Sequence, residues 1–115
     1  MLKEKLSNYD VILASQSPRR IKFFNDLDIK FKSVKLDVDE SYPNHLKAEQ
    51  ITDFLADKKA RFYNDLINTN TILVTSDTIV WMKGEALGKP TDNKNAKEIL
   101  KVLSNNTHKV ITSFC

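Results

Sequence analysis

Cysteine occurs once, at Cys115, so the chain has no internal disulfide framework, and His45 and His108 stand apart from it, leaving no zinc-ligand spacing. A metal held here would be a hard cation on carboxylates. Two glycines and three prolines leave no material for linkers or low-complexity tracts. No apolar run approaches the roughly 20 residues that span a bilayer. The start Met1-Leu2-Lys3-Glu4-Lys5 lacks the apolar core of a signal peptide. The expected compartment is therefore the cytoplasm, with no membrane partner. Aromatic residues are also sparse, at 9%, and none is interleaved with a basic block as in proteins that stack single-stranded bases.

What remains is an ordinary globular composition. With 115 residues, 41% of them hydrophobic, the chain amounts to one domain at most. The net charge of +3 suits a polyanionic ligand, but the lysines are scattered among acids, so no specific nucleic-acid partner is expected. The sequence contains no internal repeat.

One stretch organises the rest. Val11-Ile12-Leu13-Ala14 reads as a short buried strand, followed by Ser15-Gln16-Ser17-Pro18-Arg19-Arg20 and a helical pattern marked by Ile21, Phe24 and Leu27. Ser17-Pro18 has the form of a helix start: serine accepts from an orphan backbone N–H, and proline at the first helical position has no donor to waste. A helix N-terminus attracts anions, and Arg19 and Arg20 add fixed charge in planar forks that match phosphate oxygens. A capped surface helix with two solvated arginines is the alternative.

Downstream, Phe31 to Val38 alternates imperfectly, as a strand with one face in solvent, and ends at Asp37, Asp39 and Glu40 before the turn-rich Ser41-Tyr42-Pro43-Asn44. Taken alone, those acids are ordinary turn chemistry. Leu46 to about Ile67 carries a helical stripe of Ile51, Phe54, Leu55, Phe62 and Leu66, with Lys58 and Lys59 beside it. Lysines beside an apolar face ordinarily snorkel to solvent. Asn68-Thr69-Asn70 closes the helix. Thr71 to Thr75 and Ile79 to Met82 read as strands on either side of Ser76-Asp77-Thr78.

An acid between strand formers is costly to bury unless paired, hydrogen-bonded or metal-bound, which draws attention to Asp77; backbone N–H partners at a strand end are the competing explanation. Lys83-Gly84-Glu85 and Gly88-Lys89-Pro90 read as turns. The segment Gly84 to Thr91 is not a Walker A loop, since it has one residue too few between glycines and Pro90 replaces the hydroxyl. Asp92 or Asn93 caps a helix with Ala96, Ile99, Leu100 and Leu103 on one face, and Val110 to Phe114 forms a last strand that leaves the sheet unfinished. Strands alternating with helices imply an α/β fold with a mainly parallel or mixed sheet.

Taken in order, Leu13-Ala14-Ser15-x-Ser17-Pro18-Arg19-Arg20, the acidic cluster, Leu55-Ala56-x-x-Lys59-Ala60, Ser76-Asp77-Thr78-Ile79-Val80, Leu87-Gly88-Lys89-Pro90 and Leu103-Ser104-x-x-x-His108-x-Val110-x-Thr112 resemble the Maf family, from Val11 to Ser113. The resemblance implies an elongated α/β structure with a mixed sheet, flanking helices and a cleft between two lobes, like that of inosine triphosphatases. It also implies a nucleoside triphosphate pyrophosphatase that gives the monophosphate and pyrophosphate with a divalent metal, Mg²⁺ or Mn²⁺. By the same resemblance Ser15 and Arg19 hold phosphate, and Lys59 and Lys89 supply further cations. Glu40 and Asp77 are the acids, Asp77 being the catalytic residue that orients or deprotonates water or holds the metal. Arg20 and Thr78 resemble the branch acting on dTTP and UTP, as opposed to that acting on 7-methylguanosine triphosphate.

Ser76 stands where that branch more often has alanine, and Asn105 where glycine is common; asparagine tolerates the left-handed backbone such a helix end needs. Family members continue past the position of Cys115, through the rest of the sheet and a glutamine-containing motif. Residues 1–115 are therefore expected to be the N-terminal portion of one such domain, and a homodimer stays open. An impaired nucleotide-binding remnant and a basic protein meeting nucleic acid are the alternatives.

Overall fold

The computed structural model describes residues 1–115. A short helix α1 (Leu2–Leu6) leads into strand β1 (Asp10–Leu13), helix α2 (Pro18–Asp26), strand β2 (Lys32–Ser33) and helix α3 (Glu49–Phe62). After one 3₁₀ turn (Asn64–Leu66) come β3 (Thr71–Val74), β4 (Ser76–Met82), β5 (Glu85–Leu87), helix α4 (Asn93–Leu103) and β6 (Lys109–Phe114). No helix is long and apolar enough to cross a membrane.

The fold is α/β, and its parallel and antiparallel pairings are divided between two sheets. β2, β1 and β3 form a parallel sheet in that order, and β5, β4 and β6 an antiparallel one. A single residue, Thr75, separates β3 from β4 and carries the chain from one sheet to the other. It is fully buried, its hydroxyl donates to Ala56 O at 2.7 Å, and its backbone exchanges two hydrogen bonds with Cys115.

The core lies where α3 meets these strands. Val11, Leu13 and Ala14 of the first strand region and Ile51, Leu55 and Ala56 of α3 are the bulk of the buried apolar residues, each larger side chain contributing about 1.5–3 kcal/mol on removal from water. The buried face of α3 is Ile51, Thr52, Leu55, Ala56 and Lys59. The sequence stripe is thus rotated: Phe54, Phe62 and Leu66 are exposed, and the helical pattern expected to reach Ile67 ends at Phe62. The strand expected from Phe31 to Val38 has only two residues, because the chain leaves the sheet edge after Val34 N–H bonds Leu13 O, and the Lys35 carbonyl accepts instead from the Tyr63 hydroxyl.

Candidate active site

The first strand ends at Leu13 and the chain turns through Ser15-Gln16-Ser17 into α2, so this loop lies beyond the carboxyl end of the central parallel strand. That is where open α/β sheets bind ligands. Pro18 occupies the first turn as expected, but Ser17 makes no side-chain cap. Ser15 does the nearest equivalent work: its Oγ, almost fully buried, accepts from Ser17 N–H at 3.1 Å and stiffens the turn.

The two arginines that follow differ. Arg19 is exposed and lines the cleft between the two sheets. Arg20 is half-buried, and its fork donates to Ser76 O at 3.1 Å, to Thr78 Oγ1 at 3.1 Å and to Ser15 Oγ at 3.4 Å. Burial pushes its guanidinium below the ordinary value, while Asp77 opposes that shift. Arg20 and Thr78, singled out separately in the sequence, are therefore in direct contact, and Thr78 in turn shares a 2.9 Å hydrogen bond with Thr112.

At the centre stands Lys59. It does not snorkel: only 6% of it is exposed, and its Nζ lies 2.9 Å from Asp77 Oδ1, 3.2 Å from Ser76 O and 3.3 Å from Glu40 Oε1. Of the three protons of the ammonium, hydrogen bonds to Asp77 and Ser76 use two, and Glu40 adds an ion pair. Tertiary contact reverses the expectation for this lysine, because the partner acid comes from a strand that helical periodicity cannot see. Its neighbour Lys58 points elsewhere, donating to Ser41 O at 3.0 Å and lying 3.4 Å from Asp39. Asp39 is held below the usual carboxylate range by hydrogen bonds from the Ser41 side chain and backbone. Both lysines of α3 thereby grip the acidic loop, Lys59 at Glu40 and Lys58 at Asp39 and Ser41 on either side of it.

Asp77 lies inside β4 and not in a connection between strands, and its Oδ2 is buried without a hydrogen-bond partner. Because a buried carboxylate oxygen is costly to leave bare, this atom is the one place in the site that invites a cation or a water. Glu40 is over half exposed and faces the same cleft. No third acid, histidine or cysteine joins them in a cluster with metal-holding geometry.

The cleft has a volume of about 870 Å³, within the range of small-molecule sites. Ser15, Arg19, Arg20, Glu40, Lys59, Asp77, Thr78 and Lys89 all line it, so the structure gathers every sequence-selected residue at one place. Lys89 reaches in from the opposite wall, on the connection between β5 and α4. That wall is mainly apolar, with Ile79, Val80, Leu87, Pro90, Ile99 and Leu103. The sequence reads Ile79 and Val80 as strand, Ile99 and Leu103 as a helix face and Pro90 as part of a turn, and nothing in their pattern marks them as cleft lining. Tyr42, the one aromatic residue on the cleft, was likewise read only as part of a turn.

Comparison with known proteins agrees with this arrangement. The chain is 55% identical over 115 residues to a protein of Flavobacterium johnsoniae named dTTP/UTP pyrophosphatase, covering 100% of this chain and 59% of that relative. Proteins of the same name from Christiangramia forsetii and Bacteroides fragilis are 50% identical over 115 residues and 45% over 111, covering 100% and 96% of this chain. The chain spans 59% and 58% of the lengths of these two. The family model for Maf-like protein matches residues 10–115, and the chain belongs to that family.

Proposed function

We propose that this protein hydrolyses dTTP and UTP between the α and β phosphates, releasing the nucleoside monophosphate and pyrophosphate. The observation that carries the reading is the gathering of Ser15, Arg19, Lys59 and Lys89 around a buried carboxylate, Asp77, in one cleft with an apolar far wall. The name shared by its relatives supports the substrate.

Hydrolysis at phosphorus asks for little covalent chemistry from a protein and much positioning and charge neutralisation. Arg19, the Ser15 hydroxyl and the N-terminus of α2 suit phosphate on one wall, and Lys89 adds a cation from the other. Asp77 is suited to orient or deprotonate the attacking water through its unpartnered Oδ2, with Oδ1 fixed by Lys59. The apolar wall excludes bulk water and offers a surface for the base and sugar. Arg20 and Thr78, bonded to one another, are the candidates for telling pyrimidine nucleotides from others.

A divalent cation fits this donor set. Asp77 Oδ2 and the exposed Glu40 carboxylate are the groups that would hold Mg²⁺ or Mn²⁺, and two carboxylates plus phosphate oxygens and waters match the way Mg²⁺ is bound beside phosphates. When bound, the metal supplies charge for the phosphate oxygens and polarises phosphorus. Cytoplasmic action on free nucleotides belongs to the same proposal.

Incubation with a panel of triphosphates and Mg²⁺ or Mn²⁺, with products resolved by chromatography, tests the reading. dTTP and UTP are expected to give monophosphate and pyrophosphate; orthophosphate with a diphosphate would overturn it. Asp77→Asn keeps the shape and removes the charge, so kcat is expected to fall by about 10²–10⁴-fold, with nucleotide binding retained.

A further inference from the structure

One part-buried polar contact has no part in the chemistry above. Helix α3 meets β6 through hydroxyls: Thr52, fully buried, lies 2.7 Å from Ser113 Oγ, and Ser113 donates to Asp53. An ionised carboxylate only accepts, so the single Ser113 proton goes to Asp53 and the Ser113 oxygen accepts from Thr52, whose one proton is shared with the Glu49 carbonyl 3.1 Å away. A hydroxyl between two partners on one helix is a specific fastening. Either partner alone would leave it half satisfied.

The strand register gives this contact its meaning. Ser113 stands directly opposite Asp77 in the antiparallel pairing of β6 with β4. Opposed residues project to the same face with Cβ atoms about 4.5–5.5 Å apart, and here that face is covered by α3. The helix is therefore attached to one cross-strand pair at two places: Thr52 and Asp53 hold Ser113, and Lys59 holds Asp77. The attachments are roughly 10 Å apart along the helix, or about two turns. The Thr75 hydroxyl bonds Ala56 O between them, and the Ser113 contact adds a hold on the N-terminal half of the helix, so that together they leave it one register.

We infer that Ser113 is a positioning residue, which holds α3 in the register that delivers the Lys59 ammonium to Asp77. The consequence for turnover rests on the function proposed above. The placement of Lys59 does not, and it is measurable without nucleotide.

Labelling the folded chain with an amine-reactive ester, followed by peptide mass spectrometry, reports the accessibility of Lys59 directly. Ser113→Ala is expected to speed Lys59 labelling about tenfold, the weight of one lost hydrogen bond to a charged group, while the exposed Lys94 and Lys97 keep their rates. Ser113→Thr, which retains the hydroxyl, is expected to label like the wild type. Thr52→Val keeps the volume and removes the other hydroxyl; it moves Lys59 in the same direction and stands in if Ser113→Ala does not fold.

With dTTP, Ser113→Ala is expected to lower kcat about tenfold and leave KM near the wild-type value, with kcat referred to the folded fraction read from a thermal melt, because loss of folded enzyme alone would also lower apparent kcat at constant KM. Unchanged Lys59 labelling in folded Ser113→Ala or Thr52→Val protein overturns the inference. If labelling responds as expected but the wild type releases no pyrophosphate, the positioning role stands and the proposed function falls.

Discussion

Arg19 and Arg20 are adjacent and chemically identical, yet the structure gives them unlike surroundings. Arg19 stands free on the cleft, whereas the fork of Arg20 is committed to Ser76 and Thr78 and ties α2 to β4. Arg19→Ala is expected to weaken all triphosphates alike, by roughly tenfold to more than a hundredfold for a charge-assisted contact, with no change in melting temperature. Arg20→Ala removes a part-buried tie worth about 1.5–3 kcal/mol, so melting should fall by at least about 4 °C. The ratio between dTTP and other triphosphates should change as well. Nucleotide titrations beside thermal melts check both variants; identical thermal behaviour would show that Arg20 carries no structural load.

The sequence distinguished these neighbours only through resemblance, since spacing places both at a helix start. Lys59 was hidden for the same reason. Whether a lysine snorkels or is buried depends on a carboxylate brought from 18 residues away, and no local pattern contains that information.

Among the elements, β1, α2, α4 and the last strand were legible, because their apolar runs and caps are local. Asp92 caps α4 by accepting from Asn95 N–H at 2.7 Å, and Asn105 adopts the left-handed conformation foreseen for it, with φ of 56°. The face of α3 was less legible, since apolar character is not burial: Phe54 and Phe62 face solvent while Thr52 is enclosed.

The turn at Lys83-Gly84 was also foreseen, though not the strand after it. Both residues have positive φ, 51° and 80°, and join the paired Met82 and Glu85 as a two-residue hairpin. This is the turn that favours Asn-Gly. A Cβ on Gly84 would meet nothing within 4 Å, so the demand there is on the backbone alone. Lys83→Asn is therefore expected to stabilise the chain by less than about 1 kcal/mol, by relieving left-handed strain in lysine. A rise in the urea midpoint at constant slope checks it, and a fall would mean that Lys83 contributes a contact worth more than the strain.

As a whole the molecule is open. It exposes 8653 Å², against about 6,400 Å² for a folded monomer of its mass. Its radius of gyration is 16.3 Å, where about 13 Å is usual for this length. Only 14 of 115 residues are buried, while Val110 and Phe114 of β6 lie largely in solvent beside an unpaired strand edge. Unpaired apolar edges recruit other chains. At tens of micromolar the chain is expected to self-associate and to bind a hydrophobic dye; sedimentation and dye fluorescence read this, and a monomer that melts cooperatively without binding dye would contradict it.

The passage from one sheet to the other through Thr75 alone has a mechanical consequence. The two walls of the cleft are joined by a buried residue whose side chain and backbone are both held, and Asp77 lies two positions beyond it. Any swing of one wall against the other turns about a fulcrum beside the Asp77 carboxylate, where displacement is smallest, while Lys89 travels on a longer arm. A change in the width of the cleft can thus leave Asp77 and Lys59 at their 2.9 Å separation.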